Sequence, residues 1–249
     1  MDERPASEAS DVAHWRDAAE QWIAWARAPG HDAFWAYAEA FAAFVGPDGG
    51  DALDIGCGEG RVSRRLGQAG WRMTAVDPVE RLIAAARGAA SADAYAVASA
   101  GALPFAEGSF DLCVLYNVLM DLDDPAAALR EARRVLRPHG TLVVSLVHPL
   151  ADRGRFEAAG GETRFVLGQD WFETRRFAAT ERRDGLEMPF AGWARPLGAY
   201  VAMSAAAGLG VTAFEEPRPD AAWTRFSRWR KVPLFLWTKA RPLPRNPAA

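Results

Sequence analysis

The sequence predicts an α/β fold, a mostly parallel sheet with helices on both faces. Over residues 51–148, short apolar runs alternate with helical patterns, which is typical of strands joined by crossover helices. The first apolar run, residues 52–55, is followed by glycines at positions 56, 58 and 60 and then directly by a helical pattern. Glycines at alternate positions let the backbone turn sharply out of the sheet and let a ligand lie against main-chain atoms. We therefore expect a nucleotide-type binding site at this turn.

The composition is that of an ordinary folded protein. The 249 residues are 50% apolar and 24% charged, with a formal net charge of −3, and a chain of this length can bury one large core. No apolar run is long enough to cross a membrane and the first residues are polar, so we expect a cytoplasmic protein. The two cysteines, Cys57 and Cys113, form neither a disulfide framework nor a metal-ligand cluster.

Two helical patterns precede the sheet and form a predicted N-terminal cap over residues 1–46, of which residues 1–10 are expected to be disordered. Each pattern carries a stripe of aromatic side chains, Trp15, Trp22 and Trp25 in the first and Phe34, Tyr37, Phe41 and Phe44 in the second. Such stripes are typical of core packing between helices and the main domain. Some of these side chains could instead form the roof of a substrate pocket, and both interpretations can hold at once.

The glycine loop resembles the first motif of the class I S-adenosylmethionine-dependent methyltransferases. Its form is Gly-x-Gly-x-Gly after Leu53-Asp54, one residue shorter than the Gly-x-Gly-x-x-Gly of loops that hold a pyrophosphate. In that family the loop accommodates the methionine part and the ribose of the cofactor. The resemblance implies S-adenosyl-L-methionine as cofactor, with loop contacts from Asp54, Gly56, Cys57, Gly58 and Gly60.

A second acid follows at the matching position. A strand predicted over residues 71–76 runs into Asp77-Pro78, and a carboxylate at that strand end can accept hydrogen bonds from both ribose hydroxyls. Asp77 could instead only cap the helix predicted over residues 78–87, because Asp before Pro is a good helix start. With the glycine loop upstream, we favour cofactor binding for Asp77, with Pro78 beside it.

The third strand, predicted over residues 94–98, leads into Ser99-Ala100-Gly101-Ala102-Leu103-Pro104-Phe105. This run resembles the third motif of the same family, in which an acidic residue usually occupies the Ser99 position and holds the adenine amino group. A hydroxyl bonds less strongly than a carboxylate. We expect adenine contacts from Ser99, Ala100 and Leu103, with more of them through the backbone.

The fourth strand, predicted over residues 112–116, ends at Asn117, and ligands of open parallel sheets lie outside such carboxyl ends. Asn117 is therefore a predicted cofactor contact and Asp121 a predicted catalytic group. Asp124 precedes a proline and is expected to cap the helix that runs to residue 136. Neither Asp121 nor Asp123 has companion ligands at a suitable spacing, so no metal site is expected.

The fifth strand, predicted over residues 141–147, delivers His148-Pro149 to the same edge. The preceding Arg-Val-Leu-Arg-Pro-x-Gly again resembles the methyltransferase family. Histidine is the side chain best suited to take a proton near neutral pH, which makes His148 a candidate base. It could equally hydrogen-bond only the following loop, and the sequence leaves both interpretations open.

Residues 151–195 interrupt the alternation with glycines, arginines and short extended pieces, among them 163–167 and 171–177. We predict a small antiparallel insertion over the strand ends that acts as a lid. A helix over 197–207 and strands over 211–214 and 233–237 complete a methyltransferase domain spanning 47–249. The resemblance implies a Rossmann-like sheet of order 3-2-1-4-5-7-6 with the last strand antiparallel.

The predicted function is methyl transfer from S-adenosylmethionine to a small molecule by in-line displacement, as in ubiquinone- and menaquinone-type methyltransferases. The aromatic cap and lid favour an apolar or aromatic acceptor, such as a secondary metabolite, methylated on oxygen or carbon. His148, assisted by Asp121, is the candidate base. The chain is expected to act as a monomer or homodimer, without nucleic acid or membrane.

Two alternatives from other classes remain open. Basic and aromatic residues interleave over residues 223–231, as they do on surfaces that contact phosphates and stack bases, so an RNA methyltransferase is one. A protein that binds its nucleotide without turnover is the other. The short glycine loop and Leu103-Pro104-Phe105 argue against a nicotinamide dehydrogenase.

Overall fold

A computed structural model describes residues 11–28, 30–47, 49–160, 162–168 and 170–244. The disorder predicted for residues 1–10 lies outside these ranges. The strands are β1 Asp51–Ile55, β2 Arg72–Asp77, β3 Ala94–Val97, β4 Phe110–Tyr116, β5 Leu136–Val147, β6 Gly154–Ala159, β7 Glu162–Leu167, β8 Arg175–Arg183, β9 Leu186–Ala194, β10 Leu209–Glu215 and β11 Phe235–Pro242. The α-helices are α1 Asp11–Asp17, α2 Ala19–Arg27, α3 Ala38–Val45, α4 Arg61–Gln68, α5 Glu80–Gly88, α6 Pro125–Val135 and α7 Leu197–Ala206. Short 3₁₀ segments occupy Ala33–Ala36, Ala151–Arg153 and Thr224–Arg230.

The central sheet has seven strands in the order β3-β2-β1-β4-β5-β11-β10. The five strands from β3 to β5 pair in parallel, whereas β11 is antiparallel to both of its neighbours. Counting only the strands of this sheet, the order is 3-2-1-4-5-7-6, which confirms the predicted topology. The carboxyl ends of β1, β2, β4 and β5 therefore meet at one edge, where the order reverses between β1 and β4.

Several strand boundaries differ from the sequence prediction, most of them by one or two residues and three of them by more. β5 begins at Leu136 rather than at residue 141. Residues 137–140, which were expected to form a turn, belong to the strand, because Leu136 already pairs with Phe110 of β4 before the register shifts at Leu112. β11 runs on to Pro242, since it pairs with β10 along that whole length. The piece predicted as extended over 171–177 becomes a strand only at Arg175. In each case the pairing partner, not the local sequence, determines where the strand ends.

The two aromatic stripes of the N-terminal cap pack in different parts of the protein. The second is core: Phe34, Tyr37 and Phe41 are buried beside Trp237, which is 0% exposed. Their rings meet edge to face, with 5.2 Å between the centroids of Phe41 and Trp237. The first stripe faces the other way, and Trp15 and Trp22 of α1 and α2 lie against the insertion and α5.

The insertion predicted over residues 151–195 folds as two antiparallel hairpins, β6–β7 and β8–β9. The second hairpin is fixed to the loop after β4, where the Trp193 N–H donates to the Met120 carbonyl oxygen at 2.8 Å. Arg195 reinforces this link by donating to the Leu122 carbonyl oxygen at 2.9 Å. Met188 on β9 is fully buried against α2. The hairpins thus cover the carboxyl edge of the sheet.

Within the described ranges, no helix combines the length and the apolar character that crossing a membrane requires.

Candidate active site

A cleft of about 1090 Å³ opens at the carboxyl edge of the sheet. Its floor is formed by the ends of β1, β2 and β4, one wall by α1 and α2, and the opposite side by the hairpins and the 3₁₀ segment Thr224–Arg230. Of the predicted site residues, Asp54, Gly56, Cys57, Gly58, Asp77, Pro78, Asn117 and Asp121 line this cleft.

The glycine loop is held close to β2. The N–H groups of Gly56 and Cys57 both donate to the Val76 carbonyl oxygen, at 2.8 and 3.0 Å. Gly60, the N-cap residue directly before α4, has φ +89°, and a Cβ there would lie 2.4 Å from the Ser91 side chain. The position therefore requires glycine for both its backbone conformation and its space. Gly60 lies against Ser91 and Ala86 rather than in the cleft lining.

The roof of the loop is an aromatic side chain from the N-terminal cap. A Cβ on Gly58 would lie 2.9 Å from Nε1 of Trp22, so the indole can pack against the loop only because Gly58 has no side chain. Trp22 in turn packs edge to face on Trp15 and on Phe190 of β9. The first aromatic stripe thus forms part of the cleft wall, which corresponds to the roof interpretation of the sequence pattern.

Asp77 joins the second strand to the glycine loop. Its Oδ1 accepts a hydrogen bond from the Val79 N–H at 2.9 Å, and its Oδ2 accepts one from the Gly58 N–H at 3.0 Å. The helix-start role and a binding role are therefore compatible, because each carboxylate oxygen retains a second lone pair. Burial raises the pKa of Asp77 to about 6, against the opposing effect of the two backbone donors.

Asp54 lies beside Asp77 on the cleft floor and is 1% exposed. Its Oδ2 accepts a hydrogen bond from the Ser63 hydroxyl of α4 at 2.6 Å. Burial raises the pKa of Asp54 to about 6, and the nearby Asp77 charge raises it further while Ser63 opposes. Two desolvated carboxylates on one floor favour a ligand that brings positive charge, since such a ligand stabilises both ionised forms.

Two charged residues that the sequence reasoning did not single out complete the loop. Glu59 is buried and pairs with Arg27 of α2 at 2.9 Å and with Arg64 at 2.7 Å, so it ties the cap to α4. Arg61, the first residue of α4, pairs with Asp32 at 3.1 Å and lines the cleft. Glu59 lies inside the glycine motif and Arg61 directly follows it, so their positions in the sequence could have indicated a role at the site.

Asn117 ends β4 with a left-handed backbone, φ +56°, a conformation that asparagine tolerates better than most residues. Its N–H donates to the Ser145 carbonyl oxygen at 2.8 Å, and its Oδ1 accepts from the Ser145 hydroxyl at 2.9 Å. The neighbouring strand β5 thus fixes the orientation of Asn117 at the cleft.

The residues expected around adenine are not part of the cleft lining, which on this side ends at Pro78 and Leu82. The Ser99 hydroxyl accepts from the Gly101 N–H at 3.2 Å, and the Leu103 N–H donates to Glu131 at 2.8 Å. Ala100 is buried in the core. The cleft geometry does not support adenine contacts from Ser99, Ala100 and Leu103, and these contacts stay a prediction.

His148 does not lie in the cleft lining, contrary to the placement expected from its strand. Its Nδ1 accepts from the Leu150 N–H at 3.0 Å, and its Nε2 lies 3.0 Å from Oε1 of Glu216. Both ring nitrogens are therefore occupied by loop and carboxylate partners. Burial lowers the pKa of His148, while Glu216 raises it. This geometry fits the loop-bonding interpretation and does not support His148 as a base.

The cleft instead brings two aspartates together. Burial raises the pKa of Asp121 well above its ordinary value, and the charges of Asp11 and Asp152 raise it further. Burial raises the pKa of Asp152 to about 7, against the lowering effect of Arg153 and Arg175. Asp152 was not predicted as a site residue. It is the first acidic residue after the fifth strand, and this position at the carboxyl edge of the sheet could have indicated it.

The segment 223–231 is packed rather than spread as a stacking surface. Phe226 is buried, and the Trp229 ring lies 4.9 Å from that of Phe156 on β6. The Arg225 guanidinium pairs with Asp184 at 3.0 Å. The aromatic faces are thus turned into the protein and the cleft, which leaves the RNA interpretation of the sequence without support.

The described side chains contain no group of three or more His, Cys, Asp or Glu residues that could hold a metal ion.

Comparisons with known proteins agree with this geometry. Residues 53–144 match a family model described as a methyltransferase domain. The chain is 31% identical over 191 residues to an uncharacterized methyltransferase of Mycobacterium sp. (strain JLS). The aligned region covers 71% of this chain and 69% of the Mycobacterium protein. It is 30% identical over 206 residues to the malonyl-[acyl-carrier protein] O-methyltransferase of Enterobacter lignolyticus, covering 75% and 74%.

Solved structures share the fold. An S-adenosylmethionine-dependent methyltransferase from Mesorhizobium loti superposes with a TM-score of 0.65 at 24% identity, covering 84% of this chain and 98% of that one. The 1,6-didemethyltoxoflavin-N1-methyltransferase of Burkholderia thailandensis, solved with 1,6-didemethyltoxoflavin and S-adenosylhomocysteine, gives 0.62 at 18% identity, covering 97% and 94%.

Proposed function

Because the chain belongs to the class I S-adenosylmethionine-dependent methyltransferases, we propose that it methylates a small apolar or aromatic molecule on oxygen or carbon. The observation that carries this proposal is the cleft itself. It joins two desolvated carboxylates beside a glycine loop to a chamber walled by tryptophan and phenylalanine side chains. The chamber is of the size and apolar character that small-molecule sites have.

The residues of the floor fit the cofactor. S-adenosylmethionine supplies a methyl group on a positively charged sulfur, already activated for in-line displacement. Asp54 and Asp77 offer the negative charge that such a cation prefers, and Asp77 keeps two acceptor positions for ribose hydroxyls. We assign the loop Gly56-Cys57-Gly58 to the methionine part, Arg61 to its carboxylate, and Pro78 and Asn117 to flanking contacts. Gly60 holds the loop in place.

The Cys57 thiol is not part of the chemistry. Burial and the neighbouring aspartates raise its pKa well above the ordinary value, so it stays a neutral thiol.

Proton removal, where the acceptor is a hydroxyl or an acidic carbon, is assigned to Asp152. A carboxylate with a pKa of about 7 is close to the optimum for a general base at neutral pH. The charge of Asp152 raises the pKa of Asp121, which disfavours ionisation of Asp121 while Asp152 is ionised. This assignment keeps the predicted role of Asp121 in the site and replaces His148.

The hairpins and the cap supply the remaining requirement, exclusion of water and fixed orientation. Phe177 and Phe190 from the second hairpin face the cleft together with Trp22 and Trp25. Positioning and a dry site account for most of the rate in a displacement whose leaving group is already activated. The lid role predicted for 151–195 belongs to this proposal.

The O-methyltransferase name of the Enterobacter relative supports an oxygen acceptor. The packed 223–231 segment and the negative overall charge argue against RNA. A binding-only protein is the remaining alternative, and turnover distinguishes it.

The test is calorimetric titration of the purified chain with S-adenosylmethionine and, as control, NADH. We expect saturable binding of the former alone, followed by transfer of a radiolabelled methyl group to a member of a phenol, quinol and carboxylic acid panel. Binding without transfer to any acceptor would support the binding-only alternative. Binding of NADH alone would overturn the cofactor assignment.

A further inference from the structure

Three arginines, Arg183, Arg225 and Arg228, form one side of the cleft, and we call them the arginine wall. Arg183 is the last residue of β8, whereas Arg225 and Arg228 belong to the 3₁₀ segment Thr224–Arg230. All three line the cleft. They come from parts of the chain about forty residues apart in sequence, and only the packing of the hairpin against the 3₁₀ segment brings them together.

Two members of the wall are held in place by partners that leave them charged. The Arg183 guanidinium donates to the His31 carbonyl oxygen and lies 5.0 Å from the Trp25 ring. Arg225 donates to Oδ2 of Asp184 through both terminal nitrogens, at 3.0 Å each. A carbonyl, an aromatic face and two carboxylates orient these side chains, the second carboxylate being Glu181, 4.0 Å from Arg183. With Arg228 counted, the three arginines still outnumber these two carboxylates.

Arg228 is the member available for a ligand. Its guanidinium lies 5.2 Å from the Phe156 ring and 5.6 Å from the Trp229 ring. Among the residues that the structure describes, no carboxylate lies within ion-pair distance of Arg228. The aromatic faces hold the guanidinium at the cleft while its N–H donors remain open to an anion.

The three cations repel one another. Burial lowers the pKa of Arg183, and the charges of Arg225 and Arg228 lower it further, while Glu181 and Asp32 oppose. Like charges that are held together gain stability when an anion joins them. The wall is therefore preorganised for a negative group.

The cleft is thus polarised between its floor and this wall. The carboxylates Asp54 and Asp77 lie on the floor beside the glycine loop, where the cationic cofactor is proposed to bind. The carboxylate of that cofactor is assigned above to Arg61, which directly follows the loop and lines the cleft. The arginine wall is left for the second ligand of the cleft, the acceptor.

We infer that the acceptor carries an anionic group, a carboxylate or a phosphate, and that the arginine wall binds it while the aromatic side chains bind the apolar body. The inference rests on the proposed function for the identity of the second ligand. Guanidinium groups match carboxylate and phosphate oxygens with paired hydrogen bonds, so the wall selects for charge and geometry together. Neutral aromatic molecules of the same size are then poor acceptors.

Three small probes test the inference: benzoate, benzamide, which has the same shape without the charge, and phenyl phosphate. Each is titrated calorimetrically into the full chain in low salt, with and without saturating S-adenosylhomocysteine. We expect benzoate to bind about fivefold or more tightly than benzamide. The ratio of phenyl phosphate to benzoate affinity identifies which anion the wall prefers.

The variant Arg228→Gln removes the charge from the member that has no ion pair to lose, and it is expected to abolish the benzoate preference. Arg182→Gln is the matched control, because Arg182 is exposed on the same hairpin and pairs with Glu187 outside the cleft. It should leave the preference unchanged, and Arg228→Glu should reverse it in favour of benzamide.

Equal affinity for benzoate and benzamide, no saturable benzoate binding, or a preference that persists in Arg228→Gln overturns the inference. Loss of S-adenosylhomocysteine affinity in Arg228→Gln as large as the loss for benzoate also overturns it, since the wall would then hold the cofactor carboxylate. Failure of the proposed function is read separately, from the cofactor titration of the unaltered chain, and leaves the probe comparison interpretable.

Discussion

The replacement Asp77→Asn tests the cofactor floor most directly. Asp77 now accepts one backbone N–H on each carboxylate oxygen, from Val79 at 2.9 Å and from Gly58 at 3.0 Å. Asparagine offers a single acceptor oxygen, so its amide must face either one of these N–H groups or the ribose with a donor. At least one charge-assisted hydrogen bond to the cofactor or the loop is lost.

The expected loss follows from that count. A hydrogen bond to a charged group contributes about 1.5–3 kcal/mol, which corresponds to about 10–150-fold in the dissociation constant of S-adenosylmethionine. The fold should change little, because burial already disfavours the ionised form of Asp77 and the amide is neutral. Calorimetry gives the affinity, and the melting temperature without cofactor shows whether the fold is kept.

Asp93→Asn is the matched control. Its Oδ2 accepts from the Met73 N–H at 2.7 Å, the same kind of bond, at the opposite end of β2 and outside the cleft lining. The control should leave the affinity within about twofold. If Asp77→Asn changes the affinity by less than about threefold, or if both variants weaken binding equally, the ribose role of Asp77 is refuted.

Three further predictions follow from the same site. Burial raises the pKa of Asp77 to about 6, and its ionised form accepts from the cofactor hydroxyls more strongly than the protonated acid, so affinity for S-adenosylmethionine should be constant above pH 7 and fall as pH drops through 6, by up to about tenfold per unit. A titration series that stays flat from pH 5 to 7 contradicts this. With a hydroxyl acceptor, Asp152→Asn should lower turnover about 10²–10⁴-fold without changing the cofactor affinity, because it removes the proposed base. His148→Gln should change turnover by less than about threefold, since the His148 ring bonds the following loop. The reverse pattern in steady-state kinetics would assign the base to His148. Gly60→Ala should lower the free energy of unfolding by about 1–3 kcal/mol more than Gly70→Ala, since both have positive φ but only the former Cβ meets a side chain, and chemical denaturation measures the difference.

The part of the fold that could be predicted is the part encoded by short-range pattern. Alternating apolar runs and helical stretches led to the parallel sheet, and the resemblance led to the strand order that the structure confirms. Element bounds were less accurate wherever a pairing partner extended a strand, as it does for β5 and β11. A strand ends where its hydrogen-bonding neighbour ends, and a single sequence does not contain that information locally.

The cleft floor was visible for a similar reason. The glycine loop, Asp77 and Asn117 each lie within a few residues of a strand end, and the parallel sheet brings those ends to one edge. Ser99, Ala100 and Leu103 were inferred from the resemblance of their segment to the third motif of the family, and they are not in the cleft lining. Their segment turns back on itself, with the Ala102 N–H donating to the Ser99 carbonyl oxygen at 3.1 Å.

The sheet, the glycine loop and the acid at the end of β2 could be read from the amino-acid sequence, because strand and helix periods and glycine conformations are local properties. Which side chains share the cleft above that floor depends on long-range packing. The His148 ring contacts Glu216, 68 residues away along the chain, and is not part of the cleft lining, whereas Asp152 is. The arginine wall likewise exists only because a hairpin packs on a distant 3₁₀ segment. Side-chain direction beyond a strand end depends on loop conformation and on long-range partners, which no local pattern specifies.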